Sequence, residues 1–422
     1  MRFHRRLRKW WWHHLLGPVL SACAFLWRRL MFRTTFIAIT GSAGKTTTTA
    51  CVGSILAAHF PTNWERGGRN SRAHLALIIL RTRFRHRFTV IEVGTRVPGA
   101  LRRAAWMIAP DIAVVLTVLN LHTDGFPTIE KMAREKEQLL SRLGKRGVAI
   151  LNADDERVRE MGTRRTGPVR TFGRAGEADL RVSEISSVWP ARLGFRAQYG
   201  DESCRVETQL VGEHMAIAAT AALSVAVCCG VPLDKAAEAL RNIEPVQGRM
   251  RPLALPNGAT ILRDDYQPSL PSLVAGLEVV RTAQAQRRIV VVGDVLDSLL
   301  AVRPRMRDLG RRVAGAADAG IFIGVFAKIA ARAATEAGLR ETFVCADVRE
   351  ASELLRRELR AGDLVYTHEW IAHHLERVAL AQTGTFSCWR ERCTKVNLCD
   401  VCPELKFVPF PPAPPVAAAN GN

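Results

Sequence analysis

The feature that most constrains this chain is a short glycine-rich loop close to its amino terminus. An apolar, β-branched run, TFIAIT, occupies positions 35–40 and is typical of a buried parallel strand. The loop GSAGKTT follows at once, and a helical pattern then continues to about His59. A glycine loop between a strand and a helix predicts a phosphate cradle, because glycines let backbone N–H groups approach phosphate oxygens and the helix N-terminus carries a partial positive charge.

The polar groups of this loop have expected roles. Lys45 neutralises the β- and γ-phosphates of a nucleoside triphosphate, and the Thr46 hydroxyl can ligate Mg²⁺. The loop is shorter than the general Walker pattern, since Ile39 stands where that pattern has its first glycine. A chance Gly-Lys-Thr is the alternative, which the strand and the helix on either side disfavour. The residues predicted to bind the nucleotide here are Gly41, Ser42, Ala43, Gly44, Lys45, Thr46 and Thr47.

The rest of the chain has the pattern of an α/β protein. Between residues 34 and 160, helical patterns alternate with the predicted strands TFIAIT, ALIIL, TVIEVG, IAVVLTVL and VAILN, which indicates a mostly parallel sheet. Residues 169–211 favour a small antiparallel flap, and helices from about 213 to 241 close this domain. A second α/β block carries the predicted strands ATILRD, RIVVVGD, GIFIG and DLVYTHE. The predicted divisions are 1–33, 34–247, 248–383 and 384–422.

Several further motifs follow the loop in a fixed order. They are Glu92-Val93-Gly94, HTDGF with His122, a helix with Lys136, Asn152-Ala153-Asp154-Asp155, Gly212-Glu213-His214, Gly248-Arg249-Met250 and Asp264-Asp265-Tyr266. In order and spacing, this set resembles the Mur ligase family over roughly residues 34–380. The resemblance implies a P-loop central domain followed by a Rossmann-like α/β domain. It also implies an ATP-dependent amide ligase, which activates a carboxylate as an acyl phosphate before an amine attacks.

The resemblance also implies roles for individual residues. Glu92 and His122 would hold a magnesium ion together with Thr46, and Lys136 would be carbamylated so that its new carboxylate helps the metal site. Arg249 and Asp264 would reach ATP from the second domain. Blander interpretations remain for each: Glu92 as a solvated strand-end acid, His122 as a structural histidine, Lys136 as part of a charged helix face, and Arg249 as a surface arginine.

The sequence also departs from the family pattern. The phosphate loop begins so early that we expect no counterpart of the family's N-terminal uridine-nucleotide domain. Both asparagines of the family's G-x-H-N-x-x-N are replaced, by Met215 and Ala218, and the late K-G-S becomes Thr367-His368-Glu369. These changes favour a carboxylate and an amine substrate that differ from those of a housekeeping enzyme, on a cell-envelope or polymer precursor. A poly-γ-glutamate-synthetase-like polymer ligase and a non-catalytic nucleotide-binding scaffold are the alternatives.

The amino terminus is basic and rich in tryptophan. Five Arg or Lys residues lie within the first nine positions, and no charged residue except histidine occurs from Trp10 to Trp27. The uninterrupted apolar stretch is short for a bilayer span, so the pattern favours a helix on an anionic membrane surface, at the cytoplasmic face where nucleotides are found. A signal peptide and a buried core helix are the alternatives. The net charge of +20 suits an anionic partner, but the chain lacks motifs typical of nucleic-acid-dependent NTPases.

Four of the ten cysteines lie close together near the carboxy terminus. They are Cys388, Cys393, Cys399 and Cys402, spaced as C-x4-C-x5-C-x2-C. In a reducing compartment such a group favours a metal over disulfides, and four thiolates can close a tetrahedral zinc site. The sequence therefore predicts zinc in the tail, with an iron–sulfur cluster and free thiols as the alternatives.

Overall fold

The computed structural model describes residues 17–119, 125–266, 269–294, 300–369, 373–391, 393 and 398–411. The chain divides into two compact units. The first contains Met1–Ser187 and Arg192–Glu244, and the second contains Val188–Ala191 and Pro245–Asn422. Each unit has its own sheet, so the predicted α/β class is confirmed.

The first unit is built on one nine-stranded sheet. Its strands are β1 (Thr35–Thr40), β2 (Thr62–Trp64), β3 (Phe88–Glu92), β4 (Ile112–Val115), β5 (Val148–Asn152), β6 (Val169–Gly173), β7 (Leu180–Ser186), β8 (Gly194–Tyr199) and β9 (Glu202–Glu207). Their spatial order is β2-β3-β1-β4-β5-β6-β7-β8-β9. Strand β1 lies between β3 and β4, with Ile39 opposite Glu92 on one side and Val114 on the other. The loop that follows β1 therefore begins inside the parallel part of the sheet.

The predicted antiparallel flap is continuous with this sheet. Strand β6 pairs in parallel with β5, and β7 pairs in parallel with β6. Only the β7–β8 and β8–β9 pairs are antiparallel. The alternation of buried and exposed side chains in β7 marks a strand with one solvated face, which is why this stretch differs in pattern from the fully buried strands.

Helices cover the sheet of the first unit. They are α1 (Gly17–Leu30), α2 (Lys45–His59), α3 (Arg72–Arg81), α4 (Ala100–Ile108), α5 (Ile129–Glu137), α6 (Glu156–Thr163), α7 (Ala216–Cys228) and α8 (Leu233–Arg241). The run ALIIL, predicted as a strand, lies within α3, so that prediction was wrong. A short apolar run fits a buried helix as well as a strand, and here Leu75, Ala76 and Ile79 face the core.

Helix α1 packs against the first unit and includes half of the predicted membrane segment. Ala24 is fully buried, and Arg28 donates to the carbonyl of Ile108 (2.7 Å) and to the Asp111 carboxylate (2.9 Å). Phe25 stacks on Trp106 with ring centroids 3.8 Å apart. One face of this helix thus belongs to the core, as the buried-helix alternative expected. Residues 1–16, which complete the segment, lie outside the described residues.

The second unit has a six-stranded sheet of order β10-β11-β15-β12-β13-β14. Its strands are β10 (Arg251–Ala254), β11 (Thr260–Arg263), β12 (Arg287–Val292), β13 (Ala319–Ile323), β14 (Glu341–Cys345) and β15 (Asp363–His368). Its helices are α9 (Leu270–Thr282), α10 (Val302–Ala314), α11 (Ala327–Glu336), α12 (Val348–Glu358) and α13 (Glu376–Thr383). Only the β10–β11 pair is antiparallel. The four strands predicted for this block correspond to β11, β12, β13 and β15.

The tail after α13 folds back on the second unit. Strand β16 (Gly384–Thr385) pairs with β17 (Val408–Pro409). Between them, a short 3₁₀ helix spans Cys399–Val401. Its first residue is buried in a small apolar cluster with Leu380 and Leu405.

Candidate active site

The glycine loop has the conformation that a phosphate cradle needs. Gly44 adopts a left-handed backbone (φ 79°) and precedes the first residue of α2, Lys45. A Cβ atom on Gly41 would lie 2.8 Å from the Cβ of Leu116, so the close approach of the β4 edge requires glycine there. The Lys45 ammonium donates to the carbonyl oxygens of Gly41 (2.9 Å) and Ser42 (3.3 Å). The cation therefore lies over the backbone that would receive the phosphates.

The loop is also held from its outer side. The Ser42 hydroxyl accepts from the backbone N–H of Leu119 (2.8 Å) and donates to its carbonyl (3.2 Å), while the Ser42 N–H donates to the carbonyl of Thr117 (2.8 Å). These bonds attach the loop to the segment that follows β4. That segment leads to His122, which lies outside the described residues, so the structure leaves its predicted metal role open.

Two predicted magnesium ligands meet at the end of the loop. The Thr46 hydroxyl donates to the Glu92 carboxylate (2.8 Å), and both side chains are buried. The other Glu92 oxygen accepts from the Asn70 amide (3.2 Å). Asn70 lies just before α3 and was missed by sequence reasoning, because nothing in its local pattern indicates that it contacts β3. These oxygens are ligands that Mg²⁺ prefers.

Helix α5 turns Lys136 into the protein rather than toward solvent. Only 4% of this residue is exposed, whereas Lys131 and Arg134 on the same helix are both exposed. Burial holds the pKa of the Lys136 amine well below its usual value, and the positive charge of Lys45 lowers the pKa further. The neighbouring Glu135 carboxylate accepts from the backbone N–H of Leu101 (2.8 Å), at the start of α4. The charged-face interpretation does not describe Lys136.

A cleft in the first unit is formed in part by two of the motifs, Asn152-Ala153-Asp154-Asp155 and Gly212-Glu213-His214. Its volume is about 160 Å³, and it is lined by Asn152, Asp154, Phe172, His214, Ile217 and Thr220, among others. The Asp154 carboxylate accepts from the backbone N–H groups of Arg174 and Ala175 (2.8 and 2.9 Å), which fixes the turn after β6. Helix α7 contributes Ile217 and Thr220 to the wall of this cleft. Ala218, which replaces one of the family's asparagines, lies in α7, and Met215, which replaces the other, lies in the 3₁₀ turn just before it.

Within the second unit, the two predicted nucleotide-contacting segments lie together. A Cβ atom on Gly248 (φ 68°) would lie 2.8 Å from the Asp265 carboxylate. Glycine is therefore required where Gly248-Arg249-Met250 meets Asp264-Asp265-Tyr266. The Arg249 guanidinium lies 5.2 Å from the centroid of the Tyr266 ring. The Asp264 carboxylate accepts from the Tyr366 hydroxyl (3.1 Å) and lies 3.0 Å from Nδ1 of His368.

The four tail cysteines do not form one group of thiols in the described part of the chain. Instead, Cys399 lies beside His374 and Glu376, and their potential ligand atoms fall within 4.8 Å of one another. Sequence reasoning missed His374 and Glu376. The run His373-His374-Leu375-Glu376 was the available signal, but its separation from the cysteines in sequence hid the contact.

Comparison with known proteins gives two matches that together cover most of the chain. The family model for the Mur ligase middle domain matches residues 39–226. The family model for the Mur ligase glutamate ligase domain matches residues 248–368. Both matches follow the order of the two structural units along the chain.

Relatives and solved structures agree with this. The chain is 29% identical to the UDP-N-acetylmuramoyl-tripeptide–D-alanyl-D-alanine ligase of Mycobacterium bovis, over 84% of this chain and 74% of the relative. It is similar in fold to MurF from Acinetobacter baumannii, with a TM-score of 0.78 and 24% identity over 86% of this chain and 79% of that one. It is also similar to MurF from Thermotoga maritima in complex with ADP, with a TM-score of 0.75 and 21% identity over 86% and 82%.

The glycine loop and α2 lie within the first matched region, and strands β10–β15 of the second unit lie within the second. The chain belongs to the Mur ligase family and contains that family's middle and C-terminal domains.

Proposed function

We propose that this chain is an ATP-dependent ligase that joins a carboxylate to an amine in the synthesis of a peptidoglycan precursor. The observation that carries the proposal is the Thr46–Glu92 pair, which places buried magnesium-type ligands directly beside the phosphate loop. Lys136 adds to it, because a buried amine with a lowered pKa is the form that reacts with CO₂ to give a carbamate. A scaffold that merely binds nucleotide has no need of a lysine that can be carbamylated.

The proposed reaction has two steps. A carboxylate oxygen of the acceptor attacks the γ-phosphorus of ATP, the bond to the β-γ bridging oxygen breaks, and ADP leaves. The amine then attacks the acyl carbon, loses a proton, and inorganic phosphate leaves as the amide forms. Lys45 and the loop N–H groups bind and neutralise the phosphates in the first step. Thr46 and Glu92, with His122 as the resemblance implies, would hold a magnesium ion, which would neutralise charge on the transferred phosphoryl group.

The relatives' names suggest the substrates. The mycobacterial relative acts on a UDP-linked muramoyl tripeptide and D-alanyl-D-alanine. We assign the same chemical classes here, a muramoyl peptide carboxylate and a small amine such as a dipeptide. Arg249 and Asp264 would contact ATP from the second unit. His368, which stands where the family has K-G-S, is buried with Nδ1 3.0 Å from the Asp264 carboxylate, so it would position Asp264.

The substrate classes can be tested by ADP release. The purified chain is given ATP, Mg²⁺ and either a UDP-muramoyl tripeptide, D-alanyl-D-alanine, or both, with amino-acid and dipeptide panels in place of the last. Release that requires both a carboxylate and an amine supports the ligase. Nucleotide binding without release under any pair would support a scaffold, and stimulation by DNA or RNA alone would overturn the proposal.

Replacing Glu92 with glutamine is expected to weaken magnesium binding at the site. The amide keeps the shape but loses the charge that a divalent ion requires, so the Mg²⁺ concentration for half-maximal turnover should rise about 10- to 100-fold. A magnesium titration of turnover measures this. Glu177→Gln, at an exposed acid of the same unit, is the control and should titrate like the parent. An unchanged titration for Glu92→Gln would remove this residue from the metal site.

We further propose that helix α1 rests on the cytoplasmic face of an anionic membrane. Among the described residues, no helix has the length and apolar character of a membrane span. The helix does, however, expose a continuous apolar face of Val19, Cys23, Leu26 and Leu30 opposite its buried one. Arg29 and Arg33 lie exposed at its end, so the surface combines apolar area with positive charge, as interfacial helices do.

The double substitution Leu26→Asp with Leu30→Asp is expected to abolish most binding to anionic vesicles. Both side chains are more than half exposed, at 63% and 55%, so their loss should not disturb the core. Co-sedimentation with phosphatidylglycerol vesicles, at low and high salt, measures the bound fraction. Val325→Asp changes an equally apolar and more exposed residue of the second unit and is the control. Equal binding by both variants would contradict an α1 contact.

We also propose that the carboxy-terminal tail binds zinc.

A further inference from the structure

Three side chains at the start of α13 and in the tail converge in the interior of the second unit. His374, Glu376 and Cys399 are 1%, 0% and 4% exposed. Nδ1 of His374 lies 2.9 Å from Oε1 of Glu376 and 3.4 Å from Sγ of Cys399. Around tetrahedral zinc, with bonds of about 2.0–2.3 Å, neighbouring ligand atoms lie about 3.3–3.8 Å apart. The Nδ1–Sγ distance matches one edge of such a tetrahedron, and the Nδ1–Oε1 distance is shorter than an edge, so a shift of a few tenths of an ångström would place these atoms at its corners.

Part of the hydrogen-bonding capacity of this group is unused. Oε1 of Glu376 accepts from the backbone N–H of Cys399 (2.8 Å), but within the described residues Nε2 of His374 and Oε2 of Glu376 are buried and have no hydrogen-bond partner. Buried carboxylates are costly unless they are paired or bind a metal. A cation bound at this point compensates the Glu376 charge.

Arg377 indicates which residue supplies the fourth ligand. Its Nε donates to Sγ of Cys399 (3.2 Å), and its Nη2 donates to Sγ of Cys388 (3.8 Å). Both sulfurs therefore lie along one edge of the same guanidinium. Donors of this kind stabilise metal-bound thiolates from outside the ligand set. With two thiolates and one carboxylate against one arginine, the net charge of the group is −2, which matches a divalent ion.

We propose that His374, Glu376, Cys388 and Cys399 form a structural zinc site, in place of the four-cysteine site that the spacing predicted. These four residues are the ligands of the zinc proposed for the tail. The site does not depend on the proposed ligase reaction. Cys388, Cys393 and Cys402 are all partly buried, and the group around His374 includes none of them. Cys388 is chosen as the fourth ligand because its sulfur shares the Arg377 guanidinium with that of Cys399.

The site has a consequence for the nucleotide-contacting segments of the same unit. The residue after Cys399 is Asp400, whose carboxylate accepts from Arg263 (2.6 and 3.0 Å) and from the Gln247 amide (2.7 Å). Arg263 also holds Asp265 (2.9 Å). Gln247 directly precedes Gly248-Arg249-Met250, and Arg263 directly precedes Asp264-Asp265-Tyr266. By fixing Cys399, zinc therefore holds Asp400 in the position where it braces the backbone beside Arg249 and Asp264.

The test is the metal content of the full-length protein, purified without chelator and measured by plasma mass spectrometry. We expect about one zinc per chain, with most of it lost in His374→Ala and in Cys399→Ser. Cys402→Ser should retain it, as should Cys23→Ser, which changes an exposed cysteine of the first unit. Because loss of a ligand can also prevent folding, Co²⁺ is added to the metal-free parent as a second test. A thiolate-to-cobalt charge-transfer band should appear there and should be weaker in Cys388→Ser.

Two results would overturn the proposal. One is a parent chain that holds no zinc and gives no thiolate band with Co²⁺. The other is zinc lost in Cys393→Ser and Cys402→Ser but kept in His374→Ala, which would restore the four-cysteine site. Neither result depends on ligase turnover, so a failure of the proposed reaction remains distinguishable. Hydrogen exchange around Asp400 should increase after zinc removal; unchanged exchange would overturn the bracing role.

Discussion

Replacing Lys45 with alanine is expected to reduce ligase turnover by about 10³-fold or more. The ammonium group lies over the loop backbone, bonded to the carbonyl oxygens of Gly41 and Ser42. In the proposed reaction this cation neutralises negative charge on the β- and γ-phosphates as the phosphoryl group is transferred. Such charge stabilisation acts mainly in the transition state, so kcat should fall much more than the affinity for ATP.

The control for this substitution is Lys131→Ala, which removes an exposed lysine from α5 and should leave turnover within about twofold. Because Lys45 also bonds the loop backbone, ATP binding is measured separately for both variants by calorimetry. Turnover by Lys45→Ala within about tenfold of the parent, with ATP binding retained, would show that the loop does not activate the phosphoryl group.

Replacing Lys136 with alanine is expected to reduce turnover by about 10²-fold, with partial recovery when a small carboxylate such as acetate is added. The physical reason is the burial of the amine, which holds its pKa well below the usual value. A neutral amine can add CO₂ and become a carbamate, which is an anion and an oxygen ligand. The Ala variant leaves a cavity in which an added carboxylate can take the place of that anion.

The lowered pKa of Lys136 also determines how bicarbonate stimulation should change with pH. A lowered amine pKa means that Lys136 is neutral, and able to form the carbamate, at a lower pH than an exposed lysine. As the pH falls through that lowered pKa, the amine is protonated and the carbamate is lost, so stimulation of the parent by bicarbonate should decline. Lys136→Ala should show no bicarbonate stimulation at any pH. Equal turnover of parent and variant, unaffected by bicarbonate or acetate, would contradict the role.

The sequence predicts those parts of the site that depend on residues close together in the chain or on adjacent strand ends. The loop from Gly41 to Thr47 carries its strand and helix directly beside it, so its structure follows from neighbouring residues. Glu92 is equally predictable, because the end of a parallel strand meets the end of β1 at the same sheet edge. The predicted strands of the second unit are confirmed for a similar reason, since each contains a short run of apolar or β-branched residues.

Contacts between distant segments could not be predicted in this way. Asn70 reaches Glu92 only because the turn before α3 folds over the loop. The burial of Lys136 depends on how α5 is rotated against the core, which a helix so rich in charge does not reveal. In the tail, the cysteine spacing suggested four thiols, whereas the fold brings His374 and Glu376 to Cys399. Secondary structure is also hard to assign from a short run such as ALIIL, because five apolar residues fit a strand and a helix equally well.

The central claim is that the chain activates a carboxylate by phosphorylating it. The most direct measurement uses an acceptor whose carboxylate oxygens are labelled with ¹⁸O, in the presence of ATP, Mg²⁺ and the amine, followed by mass analysis of the phosphate released. An acyl phosphate breaks at its carbon–oxygen bond when the amine attacks, so one labelled oxygen should appear in inorganic phosphate for each amide formed. Amide formation with unlabelled phosphate would contradict the account.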